Sequence, residues 1–192
     1  MKVDQNTSKK GFIIVLTFQS VIALAWTVLT KWIVIGQRKD GPARGTRAAT
    51  ASAGSYTSPA YHGFSSGRML GPLAGSAYYV WYLRAMGANI GRNCAIYPGG
   101  RTGLMTEPDL VQLGDNVALD DCSVVAHINL RGKFALSSLK IGDGCVMRSG
   151  SRLLSGASME DSSMLCEHML LPSGDASAGL LGHLMNQNHG RC

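Results

Sequence analysis

The sequence predicts an all-β protein whose main domain is a parallel β-helix, and three regularities support this prediction. An aliphatic or methionine side chain recurs at every sixth position, at Ile141, Met147, Leu153, Met159, Leu165 and Leu171. A small residue follows each of the first four after four positions, at Cys145, Ser151, Ala157 and Ser163. Glycine directly follows the aliphatic residue that opens each block, at Gly91, Gly114 and Gly142. Neither helix periodicity nor strand alternation produces a spacing of six.

The same spacing continues upstream, at Ile90 and Ile96 and then at Leu113, Leu119 and Val125. Three strands of one hexad each close a triangular coil of about eighteen residues, whose aliphatic side chains point inward and stack on the next coil. Gly, Asn and Asp favour the turns between the sides of such a coil. We therefore expect a β-helix over residues 90–176, with Met147 beneath Leu165 and Ile141 beneath Met159.

The N-terminal part predicts a transmembrane helix over residues 12–36, after a tail at residues 1–11. No charged residue occurs from Phe12 to Thr30, and about 20 apolar residues suffice to cross a bilayer core. Lys31, Arg38 and Lys39 follow the apolar run, which favours a cytoplasmic C-terminus. The expected location is therefore the membrane, with the β-helix on its cytoplasmic side. A cleaved signal peptide and a buried helix of a water-soluble protein are the alternatives.

Between these parts, residues 37–70 are expected to be a disordered linker, because Ala, Ser, Thr, Gly and Arg alternate there without an apolar period. Reading of the coding sequence in the wrong frame is an alternative explanation for residues 42–69 and for the tail. Residues 71–89 have apolar side chains at helical spacing and predict a short helical cap. Residues 177–192 are expected to form an irregular tail.

Two insertions interrupt the hexads, GLMTEPDLV after Thr102 and HINLRGKFALSSL after Ala126. Loops that project from a rigid scaffold commonly carry function. The His, Asp and Glu side chains of this region lie in the insertions or beside them, namely Glu107, Asp109, Asp120, Asp121 and His127. Other classes of site have less support. The net charge of +6 is scattered along the chain, which does not indicate a nucleic-acid surface, and the five cysteines lack the CxxC spacing of a zinc knuckle.

Hexads of this kind resemble the trimeric hexapeptide-repeat acyltransferases, a resemblance that implies a left-handed coil. His127, the following Arg131-Gly132 and LKIGDG from Leu139 are similar to the loop and final coils of galactoside and maltose acetyltransferases. GANIGRNCAIYPGG, LMTEPDLVQLGDNVALDDCSVVAHINLRGKF and LKIGDGCVMRSGSRLLSGASMEDSSML more closely resemble the C-terminal region of nonribosomal-peptide-synthetase-like proteins of the ε-poly-lysine synthetase type, particularly fungal ones. Cys145-Val146-Met147 departs from the soluble enzymes, which have an aromatic residue there.

The resemblance implies an acyl- or aminoacyl-transferase module, a fragment of a larger synthetase-like membrane protein that lacks adenylation and carrier domains. Such a module would bind no cofactor permanently and would use acyl-coenzyme A or a phosphopantetheine thioester as donor, the latter on a carrier protein. The catalytic residues would be His127 as general base, with Asn129, Asp120 or Asp121 fixing its tautomer. Glu107, Asp109 and Arg131 would bind substrate.

The expected assembly is a homotrimer on the membrane, or units paired within one chain, without metal or nucleic acid. An inactive membrane-anchored β-helix scaffold is the alternative to an enzyme. A zinc enzyme similar to the γ-class carbonic anhydrases would need three converging histidines, and only His127 and His168 fall within the coils.

Overall fold

A computed structural model describes residues 5–43, 73, 75–99, 104–130, 133–174 and 176–177. Residues 44–70, the greater part of the predicted linker, lie outside the described residues, as do residues 71–72 of the predicted cap, Arg131 and residues 178–192 of the predicted tail. The described strands are, in chain order, β1 (Gly41–Ala43), β2 (Asn89–Ile90), β3 (Ala95–Tyr97), β4 (Val111–Leu113), β5 (Ala118–Asp120), β6 (Ser123–Val124), β7 (His127–Leu130), β8 (Lys133–Leu136), β9 (Leu139–Ile141), β10 (Val146–Met147), β11 (Arg152–Leu153), β12 (Ser158–Met159), β13 (Met164–Leu165), β14 (Leu170–Leu171) and β15 (Ala176–Ser177).

Twelve of these strands form three parallel sheets, one for each side of a triangular coil. The first sheet has the order β15-β12-β9-β4-β2, the second β13-β10-β5-β3 and the third β14-β11-β6. A bridge from Met105 to Val124 extends the third sheet by one position. Each strand therefore pairs with the strand one coil away in sequence, which is the connectivity of a parallel β-helix.

The register confirms the predicted columns of the core. Met147 pairs with Leu165, and Ile141 pairs with Met159, as the six-residue spacing requires. Their side chains are buried, with exposed fractions of 2% or less. Stacking of apolar side chains between coils is the main source of stability in such a fold, because a single coil cannot bury its own face. The parallel β-helix is thus confirmed, and its left-handedness stays a prediction.

One inward position differs from the prediction. Val124, and not Val125, pairs with Leu153 and is fully buried, whereas Val125 is half-buried. The side that ends at Val124 is one residue shorter than a hexad, because Leu119 is followed by a tight corner in which Asp121 has a φ of 41°. A shift of one residue along a strand turns every following side chain to the opposite face. The hexad count from Leu119 was therefore wrong by one.

A corner of the coil is built by an aspartate ladder, the carboxylates of Asp115, Asp143 and Asp161. The backbone N–H of Asp143 donates to Asp161 Oδ1 at 2.9 Å, and that of Asp115 donates to Asp143 Oδ1 at 2.7 Å. The backbone N–H of Arg92 donates to Asp115 Oδ1 at 2.6 Å. A Cβ on Gly142 would lie 2.3 Å from Asp161 Oδ1, so the ladder requires glycine at that position.

The N-terminal region is helical. Helix α1 spans Gln5–Thr30, a π-helical turn follows at Lys31–Ile35, and helix α2 spans Ala77–Ala85, against the first coils. Trp32 Nε1 donates to the carbonyl of Ala85 at 2.8 Å and so joins the two helical parts. Within the described residues, no helix combines the length and apolar character needed to span a membrane. The transmembrane helix expected over residues 12–36 is therefore not supported. Its last turns instead pack on the protein, where Thr27 and Lys31 are buried.

Candidate functional site

The two insertions meet at one place on the coil. The first contains Met105, continues through Glu107 and forms a 3₁₀ turn at Pro108–Leu110. The second leaves the third sheet after Ala126 as an antiparallel hairpin of β7 and β8. Leu104, Met105 and Leu110 are buried, so the first insertion is fixed by apolar packing rather than free in solvent.

A buried carboxylate holds the imidazole of His127. His127 Nδ1 lies 2.8 Å from Glu107 Oε1, and the backbone N–H of Ala126 donates to Glu107 Oε2 at 3.2 Å. The Glu107 side chain is fully buried, whereas that of His127 is 28% exposed. A carboxylate accepts hydrogen bonds, so His127 Nδ1 carries the proton of this contact and the neutral ring keeps Nε2 as its basic nitrogen.

The surroundings of the imidazole shift its affinity for protons. The hydrogen bond to Glu107 raises the pKa of His127 above its usual value, and partial burial and the charge of Arg38 oppose this effect. The ring stacks on Phe134 of β8, with centroids 5.7 Å apart and an interplanar angle of 17°. Glu107 and Phe134 therefore fix both the plane and the tautomer of the imidazole.

Asp109, two residues after Glu107, makes ion pairs with the N-terminal segment. Its carboxylate lies 3.5 Å from Lys31 Nζ and 3.2 Å from an Arg38 guanidinium nitrogen, and the backbone N–H of Arg38 donates to it at 2.7 Å. Side-chain exposures of 2%, 7% and 1% for Lys31, Arg38 and Asp109 make this a buried cluster. Burial lowers the pKa of Lys31, and the Asp109 charge acts in the opposite direction. Lys31 Nζ also lies 3.7 Å from the centroid of the Trp32 ring.

The chain just beyond Arg38 contacts the hairpin that begins at His127. Strand β1 pairs antiparallel with β8, so that Gly41 faces Leu136 and Ala43 faces Phe134. Ser138 Oγ donates to the Asp40 carboxylate at 2.9 Å. Residues 41–43 were expected to belong to a disordered linker, and here they form the edge strand of a three-stranded sheet.

The structure brings together some of the predicted site residues and separates others. Glu107 and His127 are in contact, and Asp109 is tied to the same loop, but its partners are Lys31 and Arg38. Asn129 is exposed on β7, and strand alternation places it on the same face as His127. Arg131 lies outside the described residues.

The two remaining carboxylates, Asp120 and Asp121, have other neighbours. Asp120 ends β5 and pairs with Tyr97. Asp121 occupies the corner, where its carboxylate accepts a hydrogen bond from Ser149 Oγ at 3.2 Å. The carboxylate that orients His127 is therefore Glu107, which was predicted to bind substrate.

Sequence reasoning missed Phe134, Lys31 and Arg38 as parts of the site. Phe134 had a usable signal, because HINL and KFAL flank the dipeptide Arg131-Gly132, a pattern typical of a hairpin with a two-residue turn. Lys31 and Arg38 were interpreted as charges that flank a membrane segment, and nothing local in the sequence pairs them with Asp109.

Chemically, the arrangement resembles that of a general base, an imidazole whose other nitrogen is held by a carboxylate. No group of three or more His, Cys, Asp or Glu side chains within the described ranges could hold a metal ion. The chemistry that the described side chains support is proton transfer at His127 Nε2.

No family model matches the sequence, and neither does any curated protein. Among solved structures, a hexapeptide-repeat-containing acetyltransferase from Vibrio cholerae, complexed with acetyl-coenzyme A, is similar with 13% identity and a TM-score of 0.42, over 78% of this chain and 88% of that one. A maltose O-acetyltransferase from Clostridium difficile is similar with 13% identity and a TM-score of 0.27, over 64% of this chain and 81% of that one. TM-scores this low carry no argument, so the fold assignment rests on the strand pairing.

Proposed function

We propose that this chain is an acyl- or aminoacyl-transferase module that moves an acyl group from a thioester to an amine or a hydroxyl group, with His127 as the general base. The observation that carries this proposal is the contact between His127 and Glu107. A fully buried carboxylate bonds Nδ1, and the imidazole reaches the surface where the two insertions meet. Such a pair keeps Nε2 basic and oriented, as proton abstraction from an acceptor requires.

The reaction can be written with all atoms accounted for. His127 Nε2 removes the proton of the acceptor amine or hydroxyl as its nitrogen or oxygen attacks the thioester carbonyl. The tetrahedral intermediate collapses with cleavage of the carbon–sulfur bond, and the imidazolium returns the proton to the leaving thiolate. Glu107 stabilises the imidazolium between these two steps, since a carboxylate bonded to Nδ1 favours the charged ring.

The donor is proposed to be acyl-coenzyme A or an acyl phosphopantetheine on a carrier protein. This part rests on the likeness of the hexads and of both insertions to synthetase-like and acetyltransferase sequences. The proposed roles of Asn129 and Arg131 are in substrate binding, because Asn129 shares its strand face with His127 and Arg131 belongs to the same insertion in the sequence. Asp109 is not proposed as a substrate ligand, because Lys31 and Arg38 already neutralise it.

Two statements about assembly belong to the same proposal. Membrane attachment through α1 is supported by large apolar side chains on its surface, among them Phe18, Ile22 and Trp26, with exposed fractions of 67%, 53% and 70%. Sedimentation of the full chain with membranes would support this, and its recovery in the supernatant without detergent would contradict it. A homotrimer is proposed from the sequence resemblance, and light scattering of the detergent-solubilised chain tests it.

The test of the chemistry is a comparison of three versions of the full chain, wild type, His127→Ala and His168→Ala. Each is incubated with radiolabelled acyl-coenzyme A or acyl-carrier thioesters and a panel of amines and hydroxyl compounds. We expect His127→Ala to lower kcat by roughly 10²–10⁴, the usual contribution of general acid–base catalysis. His168, an exposed turn residue with a φ of 58°, should have little effect when replaced. Equal measurable activity of wild type and His127→Ala would exclude His127 as the general base, and no transfer above background by wild type would support a scaffold without catalysis.

A further inference from the structure

We infer that Asp109 is a positioning residue for the His127–Glu107 pair, and that it acts by fastening residues 31–43, the N-terminal strap, across both insertions. The inference deepens the proposed function and rests on the role assigned there to His127. Its physical content is narrower, since it concerns how the distance between an imidazole and a carboxylate is maintained.

The strap is attached at one end to the loop of Glu107. Asp109 is separated from Glu107 by Pro108 alone and belongs to the same 3₁₀ turn. Its carboxylate is bonded by both the backbone and the guanidinium of Arg38. Two buried cations on one buried carboxylate hold the strap strongly, because release of the carboxylate would leave both cations without a counter-charge.

The strap is attached at its other end to the hairpin of His127. Within a few residues of Arg38, the Asp40 carboxylate accepts a hydrogen bond from Ser138. Strand β1 then pairs with β8 over Phe134–Leu136, and Phe134 is the residue on which the His127 ring stacks. The strap therefore contacts the element of Glu107 at one end and the element of His127 at the other. The length of the strap between these two contacts limits how far the two insertions can move apart.

Asp109 also acts on His127 through the charges that face the imidazole. Glu107 raises the pKa of His127, and the positive charge of Arg38 lowers it. Asp109 neutralises part of the Arg38 charge. Loss of the Asp109 carboxylate should lower the pKa of His127 by either route. A looser Glu107 contact lowers it, and so does an Arg38 charge that Asp109 no longer neutralises.

The experiment is an NMR titration of the imidazole in the full chain, in wild type and Asp109→Asn, with the His127 signal assigned by its absence in His127→Ala. We expect Asp109→Asn to lower the pKa of His127. We also expect hydrogen exchange at the Ala126 amide, which donates to Glu107, to become roughly tenfold faster, the factor for loss of about one hydrogen bond. Asp109→Glu, which keeps the charge, should restore part of both effects. The matched control is Glu167→Gln, which breaks an exposed pair with Arg148 elsewhere on the coil and should change neither quantity.

Wild-type values of both quantities in a folded Asp109→Asn would overturn the inference. If that variant does not fold, Arg38→Gln replaces it, because it removes the guanidinium bond to Asp109 while Lys31 still gives the buried carboxylate a counter-charge. Ala126 exchange at the wild-type rate in Arg38→Gln would then overturn the inference. Neither readout needs turnover, so a protein that shows the pKa shift without transferring acyl groups would refute the proposed function and retain Asp109 as a positioning residue.

Discussion

Replacement of Glu107 with Gln removes the charge of the buried carboxylate and keeps the size and shape of the side chain nearly the same. The amide oxygen of Gln can still accept the backbone N–H of Ala126, but the side chain no longer carries a negative charge toward His127 Nδ1. The original contact, 2.8 Å between Nδ1 and Oε1, has the length of a charge-assisted hydrogen bond. Loss of such a bond costs about 1.5–3 kcal/mol when one partner is charged.

The cost should depend on pH, in a direction that follows from the raised pKa of His127. A group whose pKa is higher in the folded than in the unfolded protein stabilises the fold fully below its unfolded value, about 6.5 for histidine. This stabilisation is lost as the pH rises through the folded pKa. The difference in free energy of unfolding between wild type and Glu107→Gln should therefore be largest near about pH 6 and should shrink at higher pH.

The assay is urea unfolding of the full chain, followed by tryptophan fluorescence at several pH values between about 6 and 9, beside an NMR titration of His127. Glu167→Gln is the control, because Glu167 is an exposed glutamate whose contact with Arg148 is a surface pair. A difference in free energy of unfolding between wild type and Glu107→Gln that is the same at every pH would refute the reasoning. An unchanged pKa of His127 in the variant would refute it equally.

Two predictions concern the coil. Met147→Ala should lower the free energy of unfolding by about 2–5 kcal/mol, because that side chain is fully buried between coils. Met164→Ala, at a side chain that is 37% exposed, should lower it far less. Equal losses for the two variants in calorimetry or urea titration would contradict the core assignment. Gly142→Ala should destabilise the protein by about 1–3 kcal/mol, because its new Cβ would lie 2.3 Å from Asp161 Oδ1 and 2.7 Å from the Asp161 backbone nitrogen; a melting temperature equal to that of wild type would show that the corner relaxes freely.

The core of the fold was predictable because its information is local and repeated. Each inward position is specified by the same six-residue pattern, and pairs such as Met147 with Leu165 follow from counting. The count failed where a side lost one residue, at the corner after Asp120. A single deletion leaves the neighbouring residues equally apolar, so Val124 and Val125 could not be distinguished by composition.

The candidate site was only partly predictable, because it depends on contacts between distant segments. Glu107 and His127 were both singled out as residues of the insertions, but the sequence does not show which carboxylate meets the imidazole. That choice depends on how two insertions twenty positions apart fold over the same edge of the coil. Arg38 and Asp109 are separated by 71 positions, and no periodic pattern relates them.

The aspartate ladder has a consequence for where this protein can change in length. Along the corner from Gly91 to Asp161, each turn is completed by a carboxylate from the next coil, so an inserted residue there would break two turns at once. A duplicated whole coil, in contrast, would carry its own aspartate and glycine and leave every ladder bond intact. Both insertions of this chain lie elsewhere, the first between β3 and β4 and the second between β6 and β9. In a lineage of such proteins, new loops would accumulate at these other edges, and the ladder edge would change only by the gain or loss of whole coils. The number of aspartates along the ladder would then equal the number of repeats, while the other edges would vary in sequence and length.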